Sequence, residues 1–362
     1  MTAVDTAPTR AGRGTFHTLT VARVDRLCTD AAAITFAVPS GLAEVFAFRA
    51  GQSVTVRRSG AGIDERRSYS VCSAVGRPLR IGVRQVPGGA VSGWLVHEVR
   101  PGDEIQVQAP TGSFTPDVAM PGRHVLLSAG SGITPVLSIA ASVLAHPAAE
   151  ATIVYGNRRT ESVMFADEVA DLKDAHPRRV QIVHVLSREA QEVELFSGRL
   201  DASKLRELLP AVCEIGGVDH WWLCGPFGMI TDAIEVLAEF GVPRERIHRE
   251  LFYVEQLPPA PETHREPPVT GGSQVTVILD GRATTTTVRH VTPVLDGVQP
   301  VRPDLPFACK GGVCGTCRAR LVSGEVDMRR NFALEPAELD AGFILTCQSL
   351  PVSEALTVDY DA

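Results

Sequence analysis

Three changes of rhythm along the chain predict a multidomain protein: an antiparallel β-barrel, then an α/β domain on a parallel sheet, then a small α+β domain. The first observation is a run of six short β-like segments broken by turn residues. The second is a switch to regular strand–helix alternation. The third is a proline-rich linker followed by a hairpin and a cysteine-rich loop. A length of 362 residues exceeds what one ordinary core accommodates.

A polar, flexible tail is expected over residues 1–14 and the barrel over 15–118. Thr18–Leu27, Ala33–Val38, Ser53–Arg57, Ser68–Cys72, Leu79–Val86 and Glu104–Gln108 are rich in β-branched and alternating apolar residues. Turn residues such as Pro39-Ser40-Gly41, Gly76-Arg77-Pro78 and Pro101-Gly102-Asp103 separate them. One helix, about Val91–Glu98, interrupts the set. Closing such a sheet on itself removes its exposed edges.

Over residues 119–255 the strand candidates are His124–Ser128, Thr152–Tyr155, Val180–Leu186, His220–Cys224 and Ile247–Glu250. Helices over Pro135–Ala145, Ser162–Ala175, Ser203–Leu208 and Phe227–Phe240 alternate with them, which implies a parallel sheet covered on both faces. Strand order 3-2-1-4-5 then brings the first and fourth strands together at the switch point, where such folds bind ligands. Both strands run into glycine loops, Gly130-Ser131-Gly132 and Gly225-Pro226-Phe227-Gly228, which locates a nucleotide cleft. A linker over 256–272 contains Leu257-Pro258-Pro259-Ala260-Pro261. The last domain, 273–362, opens with a hairpin, Gln274–Leu279 and Thr284–Arg289, around Asp280-Gly281.

Composition is globular, with 44% hydrophobic and 21% charged residues and a formal net charge of −7, which disfavours nucleic acid as a partner. The N-terminal segment lacks the apolar core of a signal peptide, and no stretch approaches the ~20 apolar residues of a membrane span. Cys28, Cys72, Cys213 and Cys224 are scattered without disulfide-framework spacing, so a reducing cytoplasm is expected. The absence of G-x-S-x-G and H-E-x-x-H gives hydrolase chemistry no support.

Cys309, Cys314 and Cys317 form a C-x4-C-x2-C run, and Cys347 follows thirty residues later, the ligand spacing of a plant-type [2Fe–2S] cluster. Zinc sites more often divide their ligands into two short pairs, whereas three of these crowd one loop. Elsewhere, Arg67-Ser68-Tyr69-Ser70 lies on a barrel strand, and Gly88-Gly89-Ala90-Val91-Ser92 opens the barrel's helix. Free N–H groups at a helix start suit phosphate, although a glycine pair also serves an ordinary turn. Ala129-Gly130-Ser131-Gly132-Ile133-Thr134-Pro135 joins a strand to a helix, with Thr134 as expected N-cap and Pro135 at the first helical position. Cys224 is either a small buried hydrophobe or a polarisable group beside a bound nicotinamide. Phe252 and Tyr253 read as core.

Taken in order, R-x-Y-S, G-G-x-x-S, G-x-G-I-T-P and C-G-P-x-G resemble the flavin and pyridine-nucleotide modules of the ferredoxin–NADP reductase superfamily. A plant-type ferredoxin domain, α+β and β-grasp-like, is joined at the C-terminal side. The resemblance implies that Arg67, Gly88, Gly89 and Ser92 bind the FAD diphosphate, that Tyr69 lies against the isoalloxazine and that Ser70 approaches its N5. It also implies that Gly130, Gly132, Thr134, Cys224, Gly225 and Pro226 line the nicotinamide cleft, with Ser70, Thr134 and Cys224 nearest the chemistry. Within the superfamily, the cysteine loop, Gly324-Glu325-Val326-Asp327-Met328, Asn331-Phe332-Ala333-Leu334-Glu335-Pro336 and Val358-Asp359-Tyr360-Asp361 resemble the reductases of bacterial phenylacetyl-CoA epoxidases. That implies NADPH, FAD, the cluster and the oxygenase subunits of a multicomponent di-iron monooxygenase, in that order. The same motifs serve ring- or steroid-hydroxylating systems, and the ferredoxin module could instead serve docking or redox sensing. One departure is local: Pro293, Pro300 and Pro303 should interrupt the short helix that the family carries over Thr292–Pro303. Finally, Ser187-Arg188 after the third strand resembles the Ser-Arg pair that grips the 2′-phosphate of NADPH, with Glu189 adjacent. A hydroxyl beside a guanidinium suits phosphate.

Overall fold

The computed structural model describes residues 14–60, 63–252 and 271–362, so the expected tail, nearly all of the linker and Tyr253 lie outside the described residues. Those from Thr18 to Phe252 form one compact unit, and those from Gly271 onward with Gly14–His17 form another.

In the first unit, β1 (Phe16–Cys28) and β2 (Ala31–Ala37) form one hairpin, and β3 (Ser53–Gly60) and β4 (Ile63–Ser70) form a second. β5 (Arg80–Arg84), α1 (Ala90–His97) and β6 (Glu104–Gln108) complete the domain, in the sheet order β4-β3-β6-β1-β2-β5. A bridge between Val71 and Ile81 joins the two edges, so the sheet closes around Leu19, Ile34, Val54, Val56, Ile81 and Val107. Burial of the inward-facing apolar side chains drives this, and β2, β3 and β5 are covered on both faces over part of their length.

The parallel layer comprises β7 (Arg123–Ala129), α2 (Ile133–Val143), β8 (Glu150–Asn157), α3 (Ala166–Ala175) and β9 (Val180–Leu186). It continues with α4 (Ala202–Val212), β10 (His220–Gly225), α5 (Phe227–Glu239) and β11 (Ile247–Leu251). Sheet order is β9-β8-β7-β10-β11, the expected 3-2-1-4-5, with every pair parallel. Two local expectations are corrected. α2 starts earlier, with Gly132 as N-cap, so Thr134 lies inside the helix and Pro135 takes its third position. Proline remains tolerated there because first-turn N–H groups have no intrahelical acceptor. α4 runs through Pro210 to Val212, where burial of Leu205, Leu208 and Leu209 outweighs one lost hydrogen bond.

At the N-terminal end of this sheet, His220 stands opposite His124, and Trp222 opposite His248. The Trp222 indole stacks on His248 at 4.2 Å and donates to His124 Nδ1 at 3.2 Å. Burial, then the neighbouring His220, pushes both His124 and His248 down to about 4. This cluster lies at the opposite strand ends from the glycine loops.

The second unit contains β12 (Gly272–Leu279), β13 (Arg282–Arg289), α6 (Val294–Val298), β14 (Arg318–Ser323), β15 (Val326–Met328), α7 (Pro336–Asp340), β16 (Phe343–Leu345), β17 (Ser349–Pro351) and β18 (Ala355–Asp359). Its mixed sheet runs β13-β12-β18-β14-β16, with β12 parallel to β18, and β15 pairs with β17. The hairpin turn places Asp280 and Gly281 at φ 54° and 69°, and the Asp361 carboxylate accepts both of their N–H groups at 2.8 Å. The family helix is present after all. α6 fits between the prolines, with Pro293 at its N-cap, where no hydrogen bond is forfeited.

Candidate functional site

The loops after β7 and β10 meet. A Cβ on Gly132 would lie 2.0 Å from the Cys224 carbonyl oxygen, so only glycine lets this turn rest on the end of β10. Gly130 holds φ 56°, and its carbonyl accepts the Tyr155 hydroxyl at 3.0 Å. Gly225 packs on the Met229 side chain and the Ala129 backbone, and Pro226 caps α5. Buried Thr134 donates its hydroxyl to the Ser131 carbonyl at 2.8 Å, which commits that group to shaping the turn. Burial, together with the nearby Glu250 carboxyl, raises the Cys224 thiol well above its ordinary range.

Ser70, at the end of β4, donates to Glu250 Oε2 at 3.1 Å, and Glu250 lies in register with Cys224 across β10 and β11. Barrel and parallel layer therefore join at Ser70, Glu250 and Cys224. Burial pushes the Glu250 carboxyl up to about 8, against the Ser70 hydrogen bond, which lowers it. Sequence reasoning misses Glu250 because it reads as the end of an ordinary strand. Its position at the C-terminal edge, beside the switch-point strand, is the signal that finds it.

Arg67 is exposed, pairs with Glu65 at 2.8 Å and shares a strand face with half-buried Tyr69, whereas Arg66 turns the other way and is buried. Gly88 holds φ 72° and Gly89 is the N-cap of α1. The Ser92 hydroxyl accepts the Val86 N–H at 3.0 Å and donates to the Gly89 carbonyl at 3.3 Å, so it folds the glycine pair into its turn.

At the outer end of the cleft, Ser187 and Arg188 continue β9 alongside Arg158, with the Arg188 N–H on the Arg158 carbonyl at 2.8 Å. Arg158, Arg159 and Arg188 are all exposed there, and sequence reasoning misses the first two. The signal was available: Asn157-Arg158-Arg159 follows a strand at the same sheet edge. Glu189 turns aside. Its carboxylate accepts the Thr160 N–H at 2.9 Å and the Thr160 hydroxyl at 2.7 Å, and these bonds hold it below the usual carboxylate range.

In the second unit, Cys309, Cys314 and Cys317 lie on one loop and Cys347 on the turn between β16 and β17. Cys317 and Cys347 are buried and Cys309 and Cys314 half-buried, with Cys314 beside Cys309 and Cys317 beside Cys347. Within each pair, the partner's hydrogen bond lowers the pKa of Cys309 and of Cys347. Among the described residues no three His, Cys, Asp or Glu side chains converge on one point. Three ligands on one loop and a distant fourth is the spacing of a plant-type [2Fe–2S] cluster, whereas zinc sites more often split their ligands into two short pairs.

The loop turns through positive φ at Lys310, Gly312 and Gly315, and the Gly311 N–H reaches Cys309 Sγ at 3.3 Å. The Lys310 ammonium is held by Asp296 and Gln299 at 2.8 and 2.9 Å and lies 4.8 Å from the Phe307 ring centroid. Buried Thr346 hydrogen-bonds the Cys317 carbonyl and the Tyr360 hydroxyl, which fixes the segment carrying Cys347. The cysteine set fits a [2Fe–2S] cluster.

Comparison with known proteins agrees with this geometry. Residues 18–115 match the oxidoreductase FAD-binding domain, 126–235 the oxidoreductase NAD-binding domain and 277–352 the 2Fe-2S iron-sulfur cluster binding domain. The chain is 39% identical over 354 residues to a component of the 1,2-phenylacetyl-CoA epoxidase of Escherichia coli, covering 96% of this chain and 98% of that one. It is 32% identical over 360 residues to the ferredoxin reductase component of a Mycobacterium tuberculosis 3-ketosteroid-9-alpha-monooxygenase, covering 95% of each.

Among solved structures, phthalate dioxygenase reductase shares the fold at TM-score 0.57 and 24% identity, over 95% of this chain and 98% of that one. An Amycolatopsis cytochrome P450 reductase matches at TM-score 0.56 and 30% identity, over 66% and 70% of the two chains. No helix among the described residues is long and apolar enough to cross a membrane. With FAD-binding, NAD-binding and 2Fe–2S domains in that order, the chain belongs to the family of oxygenase reductases that includes this phenylacetyl-CoA epoxidase component.

Proposed function

We propose that this reductase oxidises NADPH in the cytoplasm and supplies electrons, through FAD and a [2Fe–2S] cluster, to the di-iron oxygenase subunits of a phenylacetyl-CoA-epoxidising system. The four cysteines, three on one loop and Cys347 on the turn between β16 and β17, within the 2Fe-2S domain match, carry the reading, because a cluster there would give the chain a one-electron exit. When bound, FAD would supply the conversion of a two-electron hydride transfer into single-electron transfers.

The chain's own residues bind and orient. Arg67 and the N-terminal turn of α1, shaped by Gly88, Gly89 and Ser92, hold the flavin diphosphate. Tyr69 packs on the flavin ring and Ser70, steered by Glu250, addresses its reacting edge. The nicotinamide binds against the two turns that meet where Gly132 rests on the Cys224 carbonyl, one with Gly130, Gly132 and Thr134 and the other with Cys224, Gly225 and Pro226. Ser187 and Arg188, with Arg158 beside them, hold the 2′-phosphate. Cys309, Cys314, Cys317 and Cys347 would hold the [2Fe–2S] cluster, which would supply the one-electron step. None of the eight cysteines is in a disulfide, which suits a reducing compartment.

The choice of acceptor is supported by the extent of identity with the Escherichia coli protein. The mycobacterial relative supports a second reading, a steroid-ring-hydroxylating system. Reconstitution separates them: the chain, NADPH and oxygenase subunits of each type are combined with phenylacetyl-CoA or a 3-ketosteroid. Product from phenylacetyl-CoA at a rate at least tenfold above the steroid reaction is the expected result, and the reverse ratio would overturn the choice.

A further inference from the structure

We propose that β5 is the strut that sets the spacing between the flavin and nicotinamide sites, with Gly82 as its positioning residue. The inference rests on the flavin and coenzyme reading above. β5 has two faces: Ile81 and Val83 are buried in the barrel core, whereas Arg80, Gly82 and Arg84 all address the parallel layer.

Arg80 bridges the layers, with Nη2 3.1 Å from Asp25 of β1 and 3.0 Å from Glu168 of α3. Arg84 donates to the Ser162 carbonyl and reaches to 3.3 Å from the point a Gly130 Cβ would occupy. Gly82 between them has no room. A Cβ there would meet Thr134 Cγ2 at 2.3 Å and the Phe165 ring at 2.9 Å. Neither neighbour can retreat easily, since both are buried and Phe165 already holds φ 56°.

The mechanical path is short. Ser70 adjoins Val71, Val71 bridges to Ile81, and Gly82 touches Thr134. One strand therefore ties the hydroxyl on the flavin side to the turn on the nicotinamide side. A displacement of about 1 Å between reacting groups can slow a reaction by ~10²-fold, so a side chain wedged at Gly82 acts on the chemical step.

The test compares full-length holoprotein carrying Gly82→Ala, Thr134→Ser or both, the serine removing the methyl that a new Cβ would strike. Gly82→Ala should retain FAD and bind NADP+ within about threefold of the native affinity. Its limiting rate of flavin reduction by NADPH should fall by about ten- to a hundredfold. The thermal midpoint of the flavin-depleted protein should drop by roughly 3–8 °C. In the Thr134→Ser background the same substitution, now meeting only the Phe165 ring, should cost at least about threefold less in rate and lower the midpoint by less than about half as much.

A limiting rate within twofold of native, or equal costs in both backgrounds, would overturn the proposal. Should Gly82→Ala fail to fold, Glu168→Gln decides. Loosening Arg80 should lower the limiting rate two- to fivefold at unchanged NADP+ affinity, and an unaltered rate would overturn the strut. Native protein that binds no FAD would instead sink the functional reading itself.

Discussion

Replacing Glu250 by Gln removes an ionisable group while leaving Ser70 a neutral hydrogen-bonding partner. Burial raises this carboxyl from 4.5 to about 8, and each tenfold in proton affinity corresponds to about 1.4 kcal/mol. The folded protein thus holds the proton more tightly than the unfolded chain. Stability contributed here is full below about pH 4.5, declines as pH rises toward 8 and levels off above it. The ceiling is on the order of 5 kcal/mol, and water reaching a half-buried carboxyl reduces it to roughly 1–3 kcal/mol.

At pH 7 the folded group is still about nine-tenths protonated while the unfolded one is ionised, so roughly two-thirds of the decline is complete there. Glu250→Gln should match the native protein near pH 5 and exceed its stability at pH 7 and pH 9. Urea midpoints at pH 5, 7 and 9 provide the assay, read from the fluorescence of Trp221 and Trp222 on the adjacent strand. Stopped-flow flavin reduction should show a break near pH 8 in the native enzyme and none in the variant. Parallel pH curves for the two proteins would refute both the burial argument and the place of Glu250 at the junction.

Replacing Cys309, Cys314, Cys317 or Cys347 by Ser should abolish or destabilise the cluster, whereas Cys28→Ser and Cys213→Ser should not; iron and labile-sulfide analysis checks this. If Ser187 and Arg188 grip the 2′-phosphate as proposed, charge-assisted bonds of roughly 1.5–3 kcal/mol should give a ten- to hundredfold preference for NADPH. Arg188→Ala should erase most of that preference through the NADPH KM with NADH turnover nearly unchanged, and Arg158→Ala should act in the same direction. His124 and His248 have the opposite pH sign to Glu250. Their folded pKa values lie near 4, below the ordinary 6.5, so their contribution is full above pH 6.5 and fades as pH falls toward 4, by up to ~3 kcal/mol for one imidazole. His248→Phe keeps an aromatic ring on Trp222 and should flatten thermal stability between pH 7 and 5.

The sheet order of the parallel layer was legible because strand–helix alternation leaves few right-handed windings, and the cysteine spacing was legible because ligand loops keep their lengths. Gly132 stood out in the sequence as part of a tight turn, and the structure needs it there because a side chain would strike the Cys224 carbonyl. What escaped depends on tertiary contact. Glu250 is an ordinary strand residue until Ser70 arrives from another domain, and Gly82 is one of many glycines until Thr134 and Phe165 close on it. The helix over Val294–Val298 was misread because proline was weighed as a breaker without regard to its position at the helix start.

Lysine scarcity makes the cluster loop chemically addressable. The whole chain has three lysines, Lys173, Lys204 and Lys310, and Lys310 is the single side-chain amine between residues 271 and 362. It sits one residue after the first cluster ligand, tethered by Asp296 and Gln299 over the Phe307 ring. An amine-reactive cross-linker that joins this domain to an electron acceptor can therefore attach at one place. Its mass-spectrometric signature would map the acceptor onto the cluster rim, and an acylating probe would be shielded there only while the acceptor is docked.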